Sequence, residues 1–134
     1  MSLRTGILRQ ALLLVGLLAF SGTLVPAMAA ELLMVERVGC PYCAKWVRDV
    51  AQIYPLTPEG RRLPVRRVDL ADGQPSGAQR PVRFTPTFLV MDEGREVGRI
   101  TGYMDDSMFW GMLGTLLERL GQGATAGQGS KAVQ

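Results

Sequence analysis

Residues 32–46 read LLMVERVGCPYCAKW, and this stretch decides the fold. Its first four residues form a short apolar run that ends before Gly39, the pattern of a strand buried in a sheet. From Cys43 to Tyr54, apolar residues recur at the i, i+3, i+4, i+7 spacing of an amphipathic helix. Pro41 suits the first helical turn, because its missing N–H leaves no backbone donor unpaired. The stretch therefore predicts a buried strand that leads directly into a helix, with two cysteines at the junction.

Three more strands are predicted further along the chain. Residues 63–70 place valines among arginines, and residues 87–91 form a strongly β-prone run. Asp92-Glu93-Gly94 is a hairpin signal, so residues 95–101 are expected to form the partner strand. These segments predict one separate strand at residues 63–70, followed by a two-stranded hairpin.

The remaining segments complete the predicted fold. Residues 72–83 contain two glycines and two prolines, which predicts a loop or at most one or two helical turns. Asp105 or Asp106 is expected to cap a final helix, which Gly121 ends. The order strand, helix, strand, loop, strand, strand, helix predicts an α/β fold with one mixed four-stranded sheet flanked by helices.

The two ends of the chain differ from this domain. Residues 1–29 combine two arginines, an apolar run and the small-residue pattern Ala27-Met28-Ala29, which predicts an export signal cleaved after Ala29. The apolar run is about half of the ~20 residues that span a bilayer, although an uncleaved membrane tether is the alternative. Residues 30–120 then form one domain, and residues 121–134 a flexible tail rich in Gly, Ala, Ser and Gln. We expect the folded part in a bacterial periplasm.

Charge and residue inventory exclude several classes of function. Loss of Arg4 and Arg9 with the signal leaves 13 basic against 12 acidic residues, a balance that gives no case for nucleic-acid binding. The chain has two cysteines and no histidine. A structural zinc site needs about four Cys or His ligands, and a Cys–His protease dyad needs a histidine. The cysteines are therefore expected to form a disulfide or a dithiol.

The position of the cysteines favours a reactive pair. Cys40 is placed at the start of the predicted helix, where unpaired N–H groups and the helix dipole favour an anion, and Arg37 adds a nearby positive charge. Such settings lower a cysteine pKa from ~8.5 to roughly 3.5–7.5. We predict that Cys40, tuned by Arg37, is the nucleophile and that Cys43, one turn further on, resolves the mixed disulfide. The alternative is a structural clip, whose short loop would give little stabilisation.

The arrangement resembles the thioredoxin superfamily. The resemblance rests on the order of elements, on Cys-Pro-Tyr-Cys at a strand-to-helix junction and on Thr85-Pro86 before a strand that enters a hairpin. It implies a cis-Pro86 facing the cysteines and leaves the backbone of Thr85 free to bind an extended substrate segment. Pro41 and Tyr42 are then expected to contact substrate as well. The resemblance implies no cofactor beyond the redox-active disulfide.

Two features depart from thioredoxins themselves, which carry Trp-Cys-Gly-Pro-Cys and a buried Asp six residues before the first cysteine. That position holds Met34 here. Glu36, nearer the motif, is either a substitute proton acceptor or a solvated charge at the strand end. The Pro-Tyr pair and Arg37 look like glutaredoxins instead, but residues 101–105, TGYMD, match only part of the glutathione signature of that family.

Within the superfamily the chain resembles the periplasmic SoxS thioredoxins of bacterial sulfur oxidation. The segments that carry this resemblance are residues 84–88 (FTPTF), 94–100 (GREVGRI), 102–103 (GY) and 109–110 (FW). The resemblance implies a reductant that keeps the cysteine of a sulfur-carrier protein active. It also implies a membrane thiol transporter as the electron donor.

Two other functions use the same residues. An oxidase of exported proteins would use the same cysteines with the opposite electron flow, and the sequence leaves that direction open. A copper-binding module is the non-enzymatic alternative, because a periplasmic CxxC pair suits Cu(I). The chain has no histidine, and no methionine lies within two residues of either cysteine to support that alternative.

Overall fold

A computed structural model describes residues 29–129. Residues 1–28, which hold nearly all of the predicted signal, and residues 130–134 lie outside the described part. The elements in chain order are β1 (Glu31–Glu36), α1 (Pro41–Trp46), a π-helical turn (Val47–Ala51), a 3-10 turn (Tyr54–Leu56), α2 (Pro58–Arg62), β2 (Val65–Asp69), a 3-10 turn (Leu70–Asp72), β3 (Thr87–Asp92), β4 (Arg95–Thr101) and α3 (Asp106–Gly129).

The four strands form one mixed sheet in the order β2-β1-β3-β4. β1 pairs in parallel with β2 and antiparallel with β3, and β3 pairs antiparallel with β4. The carboxyl ends of β1, β2 and β4 and the amino end of β3 therefore lie together. We call this edge the disulfide end, because β1 leads from it into the cysteine motif. The predicted α/β fold, a mixed four-stranded sheet with flanking helices, is confirmed.

Helices α1 and α3 cover one face of the sheet. Trp46 of α1 lies 5.2 Å, between ring centroids, from Phe88 of β3, which lies 5.0 Å from Phe109 of α3. All three side chains are fully buried. Aromatic pairs in such tilted and edge-to-face arrangements contribute about 0.5–1.5 kcal/mol beyond the area they bury. This cluster fixes α1, and with it the cysteine motif, against the sheet.

The opposite face of the sheet is covered by irregular chain. Its core consists of Leu33, Val35, Leu89 and Met91 from the strands, with Val82 from the segment before β3. Within residues 29–129, no α-helix contributes a side chain to this second core. The loop predicted at residues 72–83 is therefore present, and it acts as the cover of a sheet face.

A β-bulge in β4 creates a buried ion pair. Met91 pairs with Glu96 and the preceding residue of β3 pairs with Gly98, so Val97 is an extra residue in β4. Regular alternation would place Glu96 and Arg99 on opposite faces of the sheet. The bulge brings them onto one face, where Nη2 of Arg99 lies 2.5 Å from Oε2 of Glu96, whose side chain is 3% exposed.

Glu96 fastens the 70–83 segment to β4. Its carboxylate accepts a hydrogen bond from the backbone N–H of Gln79 at 2.8 Å, and its own N–H donates to the carbonyl of Gly77. Arg99 donates to the carbonyl of Arg80. Burial acts to raise the pKa of Glu96, but the hydrogen bonds from Arg99 and Gln79 hold that pKa below its ordinary value. Glu96 and Arg99 together thus hold the segment that leads toward Pro86 against β4.

The structure confirms two local predictions, the hairpin turn after β3 and the cap of the last helix. Glu93 and Gly94 both have positive φ, +48° and +75°, as a two-residue hairpin turn requires. Asp105 caps α3, because its Oδ1 accepts a hydrogen bond from the N–H of Met108 at 2.8 Å.

One helix boundary and one additional short helix differ from the sequence prediction. The prediction that the last helix ends at Gly121 is wrong: α3 continues to Gly129. No proline follows Gly121, and glycine weakens a helix without blocking its hydrogen bonds. The proposed flexibility of residues 121–134 stays a prediction. The short helix α2 was not predicted, although Thr57 caps it through Gly60 N–H. Among the helices of the described part, none is long and apolar enough to span a membrane.

We predict that Glu96→Ala lowers the free energy of unfolding by about 3–5 kcal/mol, because it leaves a buried guanidinium unpaired. Urea unfolding near neutral pH measures this loss. Glu93→Ala is the matched control, because its exposed ion pair with Arg95, at 3.7 Å, is worth at most about 1 kcal/mol.

The same pair predicts a dependence on pH. Since the folded-state pKa of Glu96 is depressed, its contribution is complete above the ordinary carboxyl value of 4.5 and is lost as pH falls through the folded-state pKa. The difference between wild type and Glu96→Ala should shrink in acid. Equal losses in Glu96→Ala and Glu93→Ala would contradict the anchoring role.

Candidate functional site

Cys40 and Cys43 are joined by a disulfide, with 5.3 Å between their Cα atoms. The two residues differ in burial. Cys43 lies on the core face of α1 and is 3% exposed, whereas Cys40 is only half-buried. An approaching thiol or disulfide therefore reaches the sulfur of Cys40 first.

Cys40 is the N-cap of α1. Its Sγ accepts a hydrogen bond from the backbone N–H of Cys43 at 3.1 Å. Gly39, with φ of +79°, turns the chain into the helix, and Pro41 occupies its first position as predicted. A sulfur that accepts an N–H at a helix start is placed where a thiolate would be stabilised by hydrogen bonding and by the helix dipole.

Arg37 lies next to this helix start. Its carbonyl accepts a hydrogen bond from the N–H of Cys40 at 3.1 Å. Its side chain is exposed and makes no ion pair or side-chain hydrogen bond with any residue in the 29–129 range. The guanidinium is thus not committed elsewhere in the described chain. Its influence on Cys40 stays a prediction.

The peptide bond between Thr85 and Pro86 is cis, which confirms the predicted geometry. Val35 pairs with Thr87, so Pro86 lies beside the end of β1 and belongs to the disulfide end. Pro86 is buried, and its carbonyl accepts a hydrogen bond from Gly102 at 2.7 Å. Within the described residues, Thr85 makes no hydrogen bond, so its backbone groups are open to an incoming chain.

Exposed apolar side chains concentrate at the disulfide end. Four of them lie there, three in connections and Tyr42 in the first turn of α1: Val38 (89% exposed), Tyr42 (58%), Phe84 (68%) and Met104 (70%). Apolar surface that gathers around one site marks a contact area for another molecule. Tyr42 was predicted from the motif. The other three were missed as site residues, and the available signal was a large apolar residue in a loop beside a functional motif.

A cavity of about 460 Å³ opens on the side of the disulfide that faces β2. Both cysteines line it, together with Glu36, Arg67 and Asp69. Nη2 of Arg67 lies 2.7 Å from Oε2 of Glu36. The cavity therefore places both cysteines beside charged side chains at the strand ends.

A polar network ties α1 to the connection between β4 and α3. The hydroxyl of Tyr103 donates to Oδ2 of Asp49 at 3.0 Å, and Lys45 forms an ion pair with the same carboxylate. The ammonium of Lys45 also lies 5.2 Å from the ring centroid of Tyr103. The hydrogen bond from Lys45 holds the pKa of Asp49 below its ordinary value. The network holds the helix that carries the cysteines against the other side of the site.

Within residues 29–129, no group of three or more His, Cys, Asp or Glu side chains is placed to hold a metal ion.

Comparisons with known proteins identify the family of the chain. Residues 29–117 match a family model described as a thioredoxin-like domain. The crystal structure of the reduced periplasmic thioredoxin SoxS from Paracoccus pantotrophus is 46% identical with a TM-score of 0.65, over 68% of this chain and 98% of that chain. A Malassezia sympodialis thioredoxin (Mala s 13) is 18% identical with a TM-score of 0.48, over 64% and 73% of the two chains. A search of curated proteins found no match.

The unequal burial of the cysteines predicts unequal reactivity. After reduction, brief treatment with iodoacetamide should modify Cys40 at least about ten-fold more than Cys43, because the thiolate must be both formed and reachable. Peptide mass spectrometry measures the two yields. Unfolding in urea should remove the difference, which provides the control. Equal modification in the folded protein would contradict the assignment of Cys40 as the attacking thiol.

Proposed function

This chain belongs to the thioredoxin-like family and is a thiol-disulfide oxidoreductase, and on that premise we propose that it reduces the disulfide of a protein partner in the bacterial periplasm. The observation that carries the proposal is the placement of a half-buried Cys40 and a buried Cys43 at the edge of the sheet where the backbone of Thr85 is unpaired.

The reaction begins at Cys40. Its thiolate attacks one sulfur of the substrate disulfide, forms a mixed disulfide and releases the other substrate sulfur as a thiolate. Cys43 then attacks the sulfur of Cys40, which closes the Cys40–Cys43 disulfide and releases the second substrate thiol. Two electrons pass from the cysteine pair to the substrate. Arg37 is proposed to favour the Cys40 thiolate by its positive charge.

The substrate is proposed to lie across the disulfide end as an extended segment. The unpaired backbone of Thr85, held in place by the buried cis-Pro86, would hydrogen-bond to that segment. Pro41 and Tyr42 would contact it beside the reacting sulfur, since both are exposed. Hydrogen bonds to the substrate backbone do not depend on the substrate's side chains. The exposed apolar side chains around the site would therefore select among substrates.

The proposed cellular compartment and the proposed partner rest on the similarity of this chain to SoxS thioredoxins. SoxS from Paracoccus pantotrophus is described as periplasmic, and it is covered almost completely by this chain at 46% identity. We propose the same compartment, reached through the signal predicted in residues 1–29. The partner we propose is a sulfur-carrier protein of the sulfur-oxidation system, and the electron donor a membrane thiol transporter. The sequence resemblance to SoxS thioredoxins supports both.

A trapping experiment tests this function. Cys43→Ser, produced with its signal in a sulfur-oxidising bacterium, can form the mixed disulfide but cannot resolve it. We expect a sulfur-carrier protein attached to Cys40, identified by non-reducing electrophoresis and mass spectrometry. Cys40→Ser is the matched control and should trap little.

Two results of the trap would oppose the proposal. A broad mixture of exported proteins on Cys40 would indicate general oxidative folding in place of dedicated reduction. The absence of any adduct, with the variant folded and exported, would contradict catalysis by this pair.

A further inference from the structure

We propose that Arg80 and Arg83 form a docking site for acidic side chains of the partner protein, next to the backbone of Thr85. This inference rests on the proposed function and adds the chemical class of the partner segment to it. The segment that carries the reacting cysteine would be acidic on one side of that cysteine.

A second cavity, which we call the arginine cavity, lies at the disulfide end. Its volume is about 380 Å³, and three arginines contribute to its lining: Arg80, Arg83 and Arg99. Thr87, the first residue of β3, also lines it. The arginine cavity therefore begins one residue after the cis-Pro86, beside the backbone that is proposed to bind substrate.

The three guanidinium groups of this cavity differ in their partners. Arg99 is 10% exposed and is paired with the buried carboxylate of Glu96. Arg80 and Arg83 are exposed, and their side chains make no hydrogen bond or ion pair with any residue in the 29–129 range. Glu96 is already bonded to Arg99, and its charge interaction with Arg80 is weaker. Two positive charges are thus left over for a ligand.

The backbone that carries the two free arginines is fixed. The carbonyl of Arg80 accepts a hydrogen bond from Nη2 of Arg99 at 2.9 Å. The N–H and the carbonyl of Val82 are both bonded to the side-chain amide of Gln74, at 2.7 Å and 3.1 Å, and the Val82 side chain is buried. Arg80 and Arg83 are therefore presented on a backbone that is already ordered, so binding would cost little backbone entropy.

The arginine cavity continues the proposed path of the substrate. Phe84 also lines it, and the carbonyl of Phe84 accepts a hydrogen bond from the hydroxyl of Thr87 at 2.7 Å. This bond closes the chain around Thr85 and Pro86. An extended segment that pairs with Thr85 advances about 3.3 Å per residue, so side chains within a few residues of the reacting cysteine would meet the cavity.

Carboxylates are the ligands that match the two free side chains. A guanidinium presents two parallel N–H donors to the two oxygens of a carboxylate, which gives a strong and directional pair. Exposed charges at the rim of an interface act mainly on the rate of association, and they exclude partners of the same charge. The site would therefore select for acidic partner segments and against basic ones.

Acidic groups at the disulfide end lie on the other face of the sheet. Thr87 shares its face with Leu89 of the second core, so the arginine cavity opens on that side. Asp105 and Asp106 lie at the start of α3, which covers the opposite face, and neither lines the cavity. A partner segment with acidic residues on one side of its cysteine would thus bind in one orientation.

Peptides with one cysteine, activated as the 2-pyridyl disulfide, test the site. They differ only in a residue pair, Glu-Glu or Lys-Lys, on the amino or the carboxyl side of that cysteine. The thiolate of Cys40 in the reduced protein attacks the peptide sulfur, and the sulfur–sulfur bond to the pyridyl group breaks. The released thiolate takes up a proton and becomes 2-thiopyridone, whose absorbance gives the rate. Cys43 then displaces the peptide thiol.

Each rate constant is divided by that of a small neutral thiol, which removes the intrinsic reactivity of the peptide. On one side of the cysteine, we expect wild type to prefer Glu-Glu over Lys-Lys about ten-fold at low ionic strength. Arg80→Gln/Arg83→Gln should reduce this ratio to less than about two-fold. The wild-type ratio should also fall at about 0.5 M salt, because salt screens charges at the surface.

The matched control removes the same charge from the opposite end of the molecule. Arg95 begins β4, and Arg119 lines a separate cavity together with Asp92, the last residue of β3. Both arginines are exposed. Arg95→Gln/Arg119→Gln should keep the preference for Glu-Glu, because a site-specific effect does not follow from net charge alone.

Several results would overturn the inference. They are the absence of a Glu-Glu preference on both sides of the cysteine, its persistence in Arg80→Gln/Arg83→Gln, or its equal loss in the control. An equal fall in all peptide rates in Arg80→Gln/Arg83→Gln would show structural support in place of charge recognition. Full suppression of the preference by millimolar sulfate at constant ionic strength would assign the cavity to a small oxyanion.

Failure of the proposed function would look different from failure of the docking site. In that case wild type would react with every peptide no faster than the small thiol does. A protein that reacts rapidly with all peptides at equal rates would keep the proposed function and lose only the acidic docking site.

Discussion

The antiparallel pairing of β1 with β3 is the contact on which the site depends. With Val35 opposite Thr87, the end of the strand that leads to Cys40 lies beside the cis peptide of Pro86. A slip of one residue would turn every side chain of β1 to the other face. Met34 and Glu36 would then leave the face under α1, and the apolar residues of the second core would replace them. Register thus determines which side chains surround the disulfide.

The two strand ends that meet at the site are held by different means. The cysteine side is fixed by aromatic packing of α1, centred on Trp46, and by the hydrogen bond between Tyr103 and Asp49. The Pro86 side follows an irregular segment that the Glu96–Arg99 pair holds to β4.

Local signals in the sequence were sufficient for the chemistry of the site. A buried strand followed by Cys-Pro-Tyr-Cys placed both cysteines, the Asp-Glu-Gly turn placed the hairpin, and resemblance placed the cis-Pro86. The Glu96–Arg99 pair could not be predicted, because strand alternation puts the two side chains on opposite faces until the bulge at Val97 is known. The bond between Tyr103 and Asp49 joins residues 54 positions apart, beyond any local pattern. The cavity likewise exists only once β1, β2 and α1 are assembled.

The reduction potential of the Cys40–Cys43 disulfide tests the central claim, that this pair donates electrons to a protein partner. Equilibration of the protein with defined ratios of reduced and oxidised thiol, followed by mass spectrometry of the alkylated forms, measures it. The account predicts a value near the roughly −270 mV of thioredoxin, which makes the reduced pair a good donor. A value near −120 mV, typical of a strong oxidant, would contradict it, because the pair would then accept electrons from its partners.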